Sequence, residues 1–358
     1  MSIKNKHNLH KTWAASLFTM AMAAFMQPAT AQSVEGTTYY LPKATVLFTV
    51  KVEKTTYTPG RFAPYALRYL KKNVQQEPVT TYRLIGITMQ QNAVADTAKH
   101  FTLTVDKKHS IDKVSRAADG MLLAINADAK PVDIAAPTFT PAPKPKPLNP
   151  NDFMNEDILN AGSTAKMAEL SAKEIYDIRD SRNQLNRGEA DFMPKDGAQL
   201  AIMLRNLDVQ ERALAQLFEG TTVSDTTWTT VNFVPTKEGE TVLFRFSKRL
   251  GLLDDDDLAG APYYLQVADQ HTATQPQPAG DPKKEDKNDI GLRVNMPSKI
   301  TLTLRNGPEK IETFEILAPQ FGFVESLSGE LFGKKQTVRL TLDPLTGSVK
   351  SIENISLQ

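Results

Sequence analysis

Residues 45–53 read TVLFTVKVE, and their alternation decides the fold class. Val46, Phe48, Val50 and Val52 alternate with Thr45, Thr49, Lys51 and Glu53, the two-residue period of a strand with one face on a core. The period returns at Tyr82–Met89 and in Phe101, Leu103 and Val105, and Met121–Ile125 is a final apolar run. Thr58-Pro59-Gly60 is a turn, and Phe62, Tyr65, Tyr69 and Leu70 have helical spacing, which predicts a short helix packed on the sheet. Residues 32–130 are therefore expected to form an N-terminal β-rich domain.

Outward from it, Pro131–Pro150 (PVDIAAPTFTPAPKPKPLNP) removes backbone donors at close intervals and favours extended geometry. Residues 131–152 are read as a semi-stiff Pro-rich linker. Residues 153–220 predict an α-helical hairpin. Ile158, Ala161, Ala165, Ala168, Ala172 and Ile175 recur at steps of three and four, and Arg179 and Arg182 continue the stripe. Small residues in one seam admit a close partner helix. Leu200, Leu204, Leu207, Leu214 and Phe218 mark that partner, with Gly220 as its C-terminal cap. Glu211 falls on this apolar stripe. A turn centred near residue 191 makes Asp208 the nearer partner for Arg179, with Glu211 about 12 Å further along than Arg179's opposite position. Glu211 is therefore expected to meet the neighbouring β-domain.

Residues 221–358 return to the strand period in Val242, Phe244 and Phe246, in Tyr263, Leu265 and Val267, in Leu292, Val294 and Met296, in Ile300, Leu302 and Leu304, and in Val338, Leu340 and Leu342. Asp343-Pro344-Leu345-Thr346-Gly347 is a hairpin turn by composition, and 271–289 is a polar, Pro- and Lys-rich stretch expected to be a mobile loop. The fold class is α+β: two β-rich, sandwich- or barrel-like units with an α-helical hairpin between them.

The N-terminus predicts export. Lys4, Lys6 and Lys11 precede the apolar run Trp13–Phe25, and Ala29-Thr30-Ala31 offers the small residues of a cleavage site. Residues 1–31 are read as a signal peptide, and no later stretch approaches the about twenty apolar residues of a spanning helix. Removing them takes three lysines and no acids from a net charge of +1, leaving −2. Such a chain suggests no nucleic-acid partner. With no cysteine it has no disulfides, no metal–thiolate site, no thiol catalysis and no lipid on Gln32.

Motifs that could carry chemistry are sparse. Ser163-Thr164-Ala165-Lys166 matches S-x-x-K, but Ser224-Asp225-Thr226 is a poor second motif and no K-T-G follows. The pattern also occurs at Ser110–Lys113. Asp254–Asp257 is a run of carboxylates, and Asp254, Asp256 and Asp257 are the candidate calcium ligands; the run lacks the D-x-D-x-D-G loop and distal Glu of a calcium hand. Outside the leader only His100, His109 and His271 remain, and no pair has zinc spacing. Tyr39-Tyr40, Tyr263-Tyr264 and Trp228 could build an aromatic platform, although strand aromatics more often fill cores. No catalytic residue and no cofactor is assigned.

Several segments together resemble one family. They are Tyr39–Lys43 (YYLPK), Ala161–Glu169 (AGSTAKMAE), Ile175–Arg182 (IYDIRDSR), Leu217–Gly220 (LFEG), Leu243–Pro262 (LFRFSKRLGLLDDDDLAGAP) and Gln320–Gly322 (QFG). The chain resembles, over nearly its whole mature length, the exported Bacteroidetes-type family catalogued as domain of unknown function 4831. The resemblance implies a Gram-negative envelope protein, periplasmic or associated with the outer membrane, and no activity. A non-catalytic binding or assembly module is then the leading expectation, with another envelope protein or outer-membrane component as partner. The alternatives are an exported hydrolase using carboxylates on glycan or peptide, and a calcium- or ligand-binding module.

Overall fold

A computed structural model describes residues 36–132, 138, 140, 146–275, 288–335 and 337–355. The expected signal peptide, most of the Pro-rich stretch and residues 276–287 of the expected loop lie outside these. The strands in chain order are β1 (Thr38–Thr58), β2 (Val79–Thr102), β3 (Val114–Arg116), β4 (Leu122–Ile125), β5 (Thr221–Phe233), β6 (Gly239–Ser247), β7 (Gly251–Leu253), β8 (Ala261–Asp269), β9 (Asp289–Asn306), β10 (Glu309–Ser328), β11 (Thr337–Leu342) and β12 (Val349–Ile355). The helices are α1 (Ala66–Leu70), α2 (Glu156–Leu159), α3 (Thr164–Arg187) and α4 (Gly197–Glu219).

The strands form three sheets, ordered β2-β1-β5, β10-β9-β8-β6-β7 and β12-β11-β4-β3. The first two sheets face each other across one core. Val46, Phe48, Val50 and Val52 of β1 point into it, against Phe244 and Phe246 of β6, Leu265 and Val267 of β8, and Ile300, Leu302 and Leu304 of β9. The third sheet covers a second core, filled by Tyr39 and Leu41 of β1, Leu292 and Val294 of β9, Leu122 and Ile125 of β4, and Leu340 and Leu342 of β11. The α+β class therefore holds, with β-rich bodies and a helical hairpin. The strands, however, interleave across residues 131–152: β1 pairs with β5, and β4 pairs with β11. The segments 32–130 and 221–358 thus build both cores jointly. Alternation shows which face of a strand is apolar, but it carries no information on which strand covers that face.

β1 and β9 run through both cores, and polar side chains mark the crossing. β1 changes its inward parity between Leu41 and Ala44, beside a bulge at Tyr40/Pro42. The buried Asn295 of β9 sits here, donating to the carbonyls of Pro42 at 3.0 Å and Thr346 at 2.9 Å and accepting from Lys99 Nζ at 3.0 Å. In β10 the register against β9 slips between Ala318 and Phe323, so an extra loop of chain bulges out. Gln320 on that bulge reaches β1, where its amide accepts from Ala44 N and donates to Ala44 O, both at 2.9 Å. Pairing of β1 with β5 stops at Val46↔Phe233, so the Gln320 amide takes the place of the missing strand. Gly322 is required for the bulge because a Cβ there would lie 1.8 Å from the Met296 carbonyl oxygen.

The helices make a third core. Ala168, Ala172 and Ile175 of α3 face Leu214, Leu217 and Phe218 of α4, as the alanine seam predicts. Ser163 caps α3, its hydroxyl accepting from Lys166 N, and Gly220 ends α4 with φ 75°. Phe62, Ala66 and Leu70 pack into this helical core and not onto a sheet. The end of β1 dictates that correction: Thr58 pairs with Thr221 at the start of β5, and Phe62 N donates to Leu217 O at 2.6 Å. The turn after β1 is thereby laid against the last turn of α4.

One more expectation changes. Glu211 meets no β-strand: its carboxylate accepts from Arg179 Nε at 2.6 Å and pairs with Arg182 at 2.6 Å, while Asp208 is 3.9 Å from Arg182. Helical side chains lean towards their own N-terminus, so in an antiparallel pair Arg179 reaches away from the turn while Glu211 leans towards it. The first residues of the expected loop from 271 are tied to β9. Thr272 Oγ1 accepts from Lys299 N at 2.7 Å, and Thr272 N donates to Ser298 Oγ at 3.2 Å.

Candidate functional site

The residues singled out from sequence are dispersed. Tyr39 is buried in the second core, its hydroxyl donating to Gly291 O at 2.9 Å and accepting from Arg293 N at 2.6 Å. Burial pushes that phenol's pKa up, against the opposing pull of the Arg293 backbone and side chain. Tyr263 is stacked on Phe244 in the first core. The aromatic platform is therefore not assembled: Tyr39 and Tyr263 belong to different cores, and Trp228 stands on β5 with Lys51 Nζ 5.3 Å from its ring centre. Ser163 is occupied as a helix cap, and Lys166 pairs with Glu169 at 2.8 Å. These contacts give S-x-x-K a structural role.

Asp254–Asp257 form an exposed turn after β7. Arg245 of β6 holds it in place, donating from Nε to the Asp255 carbonyl at 2.7 Å and from Nη1 to the Gly260 carbonyl at 3.3 Å. The Asp257 carboxylate accepts from Ala259 N at 2.9 Å. Among the described residues, no group of three or more His, Cys, Asp or Glu converges to hold a metal ion. The calcium candidates Asp254, Asp256 and Asp257 thus sit together on one solvent-facing turn.

What the fold does bring together is the outer edge of β5. This strand ends its sheet, bonded to β1 over Thr58↔Thr221 to Val46↔Phe233. Its 13 residues, TTVSDTTWTTVNF, contain no Lys, Arg, Pro or Gly, the residues that usually blunt a strand edge, and Asp225 is the one charge. Two cavities open along it. One of about 670 Å³ is lined by Lys146, Leu148, Arg212, Gln216 and Thr221–Ser224. Another of about 500 Å³ is lined by Thr229–Asn232, Phe244, Leu252, Asp254 and Asp255. Both take consecutive residues of β5, hence side chains of both faces, so each opens on the strand's edge and not on one side of the sheet.

Each end of this edge is built by a different element. α4 delivers Arg212 about two turns before Gly220, with its Nε 3.2 Å from Asp208. The C-terminal end of the Pro-rich stretch delivers Lys146. At the other end, the Arg245-held turn delivers Asp254 and Asp255. One end is basic and the other acidic. The alternation of apolar residues does not mark β5, because Asp225, Thr227 and Thr229 interrupt its inward positions between Val223 and Val231; its content of β-branched Thr and Val with an aromatic was the available signal.

A family pattern described as Domain of unknown function (DUF4831) matches residues 35–350. The chain belongs to the DUF4831 family. The match runs from before β1 into β12, so both cores, the helical hairpin and the β5 edge all lie within the DUF4831 domain. No curated protein and no solved structure matches the chain.

Proposed function

We propose that this DUF4831 protein is a non-catalytic binding or assembly module of a Gram-negative cell envelope, and that the outer edge of β5 is the surface it uses. The observation that carries the proposal is a terminal strand of 13 residues, solvent-exposed along most of its length, with a cavity beside each half. Exposed edges invite pairing with another chain, and proteins usually suppress them with charges, prolines or cover. A terminal strand flanked by side-chain cavities is what strand addition by a partner needs.

Hydrolysis through carboxylates asks for two acids facing each other across a substrate, about 5–10 Å apart. The acids that line the second cavity, Asp254 and Asp255, are neighbours on one turn. The binding reading needs no such pair.

Export follows from the leader: the mature chain is expected to begin at Gln32, which N-terminal sequencing of the envelope fraction checks. For binding, a photo-crosslinking amino acid is placed in cells at the exposed Thr230 on β5, and separately at the exposed Ile202 on α4. One envelope protein captured from Thr230 and not from Ile202 is the expected result. Equal labelling from both positions, or none from Thr230, defeats the proposal.

A further inference from the structure

The near-neutral chain conceals a local excess of lysine where the second core ends at Ile111 and Phe332. The turn after β2 is pinned there to the chain after β10. His109 and Gly333 form an isolated antiparallel bridge, and Ser110 N donates to Phe332 O at 2.6 Å. Gly329 closes the contact, since a Cβ on it would lie 2.7 Å from His109 Nε2. In an antiparallel bridge the residues before one partner lie beside those after the other. Lys107 and Lys108 therefore share one side of the bridge with Lys334 and Lys335, each within two residues, or roughly 7 Å of chain, of it. All four are exposed, and among the described residues none of them forms an ion pair. Asp112 and Glu330 fall on the other side of the bridge, where Glu330 accepts from Asn288 Nδ2 at 2.6 Å. Asp106 alone shares the lysine side, and its carboxylate accepts from Lys108 N at 2.8 Å and stands 2.7 Å from His109 Nδ1. Like charges facing each other across a bridge cost stability, and one aspartate does not balance four ammonium groups.

We infer that this lysine cluster docks the protein on an anionic membrane surface, through the phosphates of the lipid headgroups. The site is separate from the β5 edge, and its failure would leave that reading standing. Lysine is a hydrated point charge on a flexible stem, which suits a fluid array of phosphates, whereas fixed carboxylates on a protein are better met by the arginine fork. Protein interfaces are depleted in lysine and centred on aromatic anchors. Thr104–His109 (TVDKKH) and Gly333–Lys335 (GKK) contain no Arg, Phe, Tyr or Trp. About four clustered cations are enough to hold a protein to anionic lipid, each worth about a fivefold gain in partition.

The test sediments the chain from Gln32 with vesicles of phosphatidylglycerol and phosphatidylethanolamine in equal parts, and with phosphatidylcholine vesicles. Binding to the anionic vesicles alone is expected, and it should fade at high salt. K107Q/K108Q and K334Q/K335Q should each lower the partition about 25-fold. K54Q/K237Q removes the same charge from exposed lysines elsewhere and should change it less than about threefold. All six positions are exposed, so thermal midpoints should not move. Equal binding to both kinds of vesicle, parent-like partition in the two cluster variants, or an equal drop in K54Q/K237Q overturns the inference. Binding of polyglutamate through the same four lysines without binding to anionic vesicles also overturns it, and assigns the cluster to an acidic protein.

Discussion

Asn295 has no exposed surface, and its side chain ties together β9, the start of β1, the β11–β12 turn and Lys99. Leucine has nearly the same volume but offers no polar atom, so Asn295→Leu takes the Asn295 donor from two carbonyls and leaves the Lys99 amine with the Pro319 carbonyl as its remaining acceptor. The expected cost is about 3 kcal/mol or more, at 1–3 kcal/mol per orphaned group, seen as a lower urea midpoint. Glu211 is a second such residue, with its side chain 14% exposed between two arginines. Glu211→Ala should cost about 1–3 kcal/mol, because Arg179 and Arg182 are then left close together with only the more distant Asp208 carboxylate, 3.9 Å from Arg182, as counter-charge. Asp289 illustrates the pH side. Its paired hydrogen bonds from Arg293 hold the carboxyl below the usual carboxylate range, helped by the Gly291 backbone and opposed by partial burial. A carboxyl depressed in the folded state contributes stability above the unfolded value of about 3.9 and loses it as pH falls through the lower folded value. Arg293→Met should therefore shrink the loss of stability between about pH 4 and pH 2 in acid titrations followed by near-UV circular dichroism.

At the scale of elements, the alanine seam is the clearest case of a pattern with one reading. Ala168 and Ala172 are buried where α3 meets α4. Ala168→Leu inserts three heavy atoms into a closed interface and should cost about 1–3 kcal/mol, measured by thermal melting of the helical signal. The partner of Glu211 was misjudged from sequence for a reason that belongs to the same pair of helices. Counting residues from the turn places α-carbons, whereas the contact is made by long side chains leaning along the axis in opposite directions. For β5 the obstacle was different. Its threonines satisfy the local preference for extended backbone but give no alternation of polarity, so no sequence rule says which side it buries. That β5 is an edge, and that two cavities lie along it, depends on where the α4 end and the β7 turn arrive in space.

For the molecule as a whole, the strands on either side of residues 131–152 share two cores. Residues 32–130 expressed alone lack β5, β9 and β11, and with them the opposite wall of each core. This fragment is expected to give a collapsed or unfolded proton spectrum, while co-expression with 146–358 should restore dispersion. A well-dispersed spectrum from 32–130 alone would contradict the shared cores. Taken by itself, the sequence determined the strand and helix periods, the turn at Asp343–Gly347, the helix caps and the family resemblance. Each of these is set by bonds and side chains within a few residues of one another. Tertiary structure alone decided that β1 and β9 thread both cores, that Phe62–Leu70 leave the sheet for the helices, that Arg179 and Arg182 take Glu211, and that β5 ends its sheet between the α4 end and the β7 turn. Those outcomes turn on which distant surfaces meet, and burial is non-directional: an apolar face records that it must be covered but not by what.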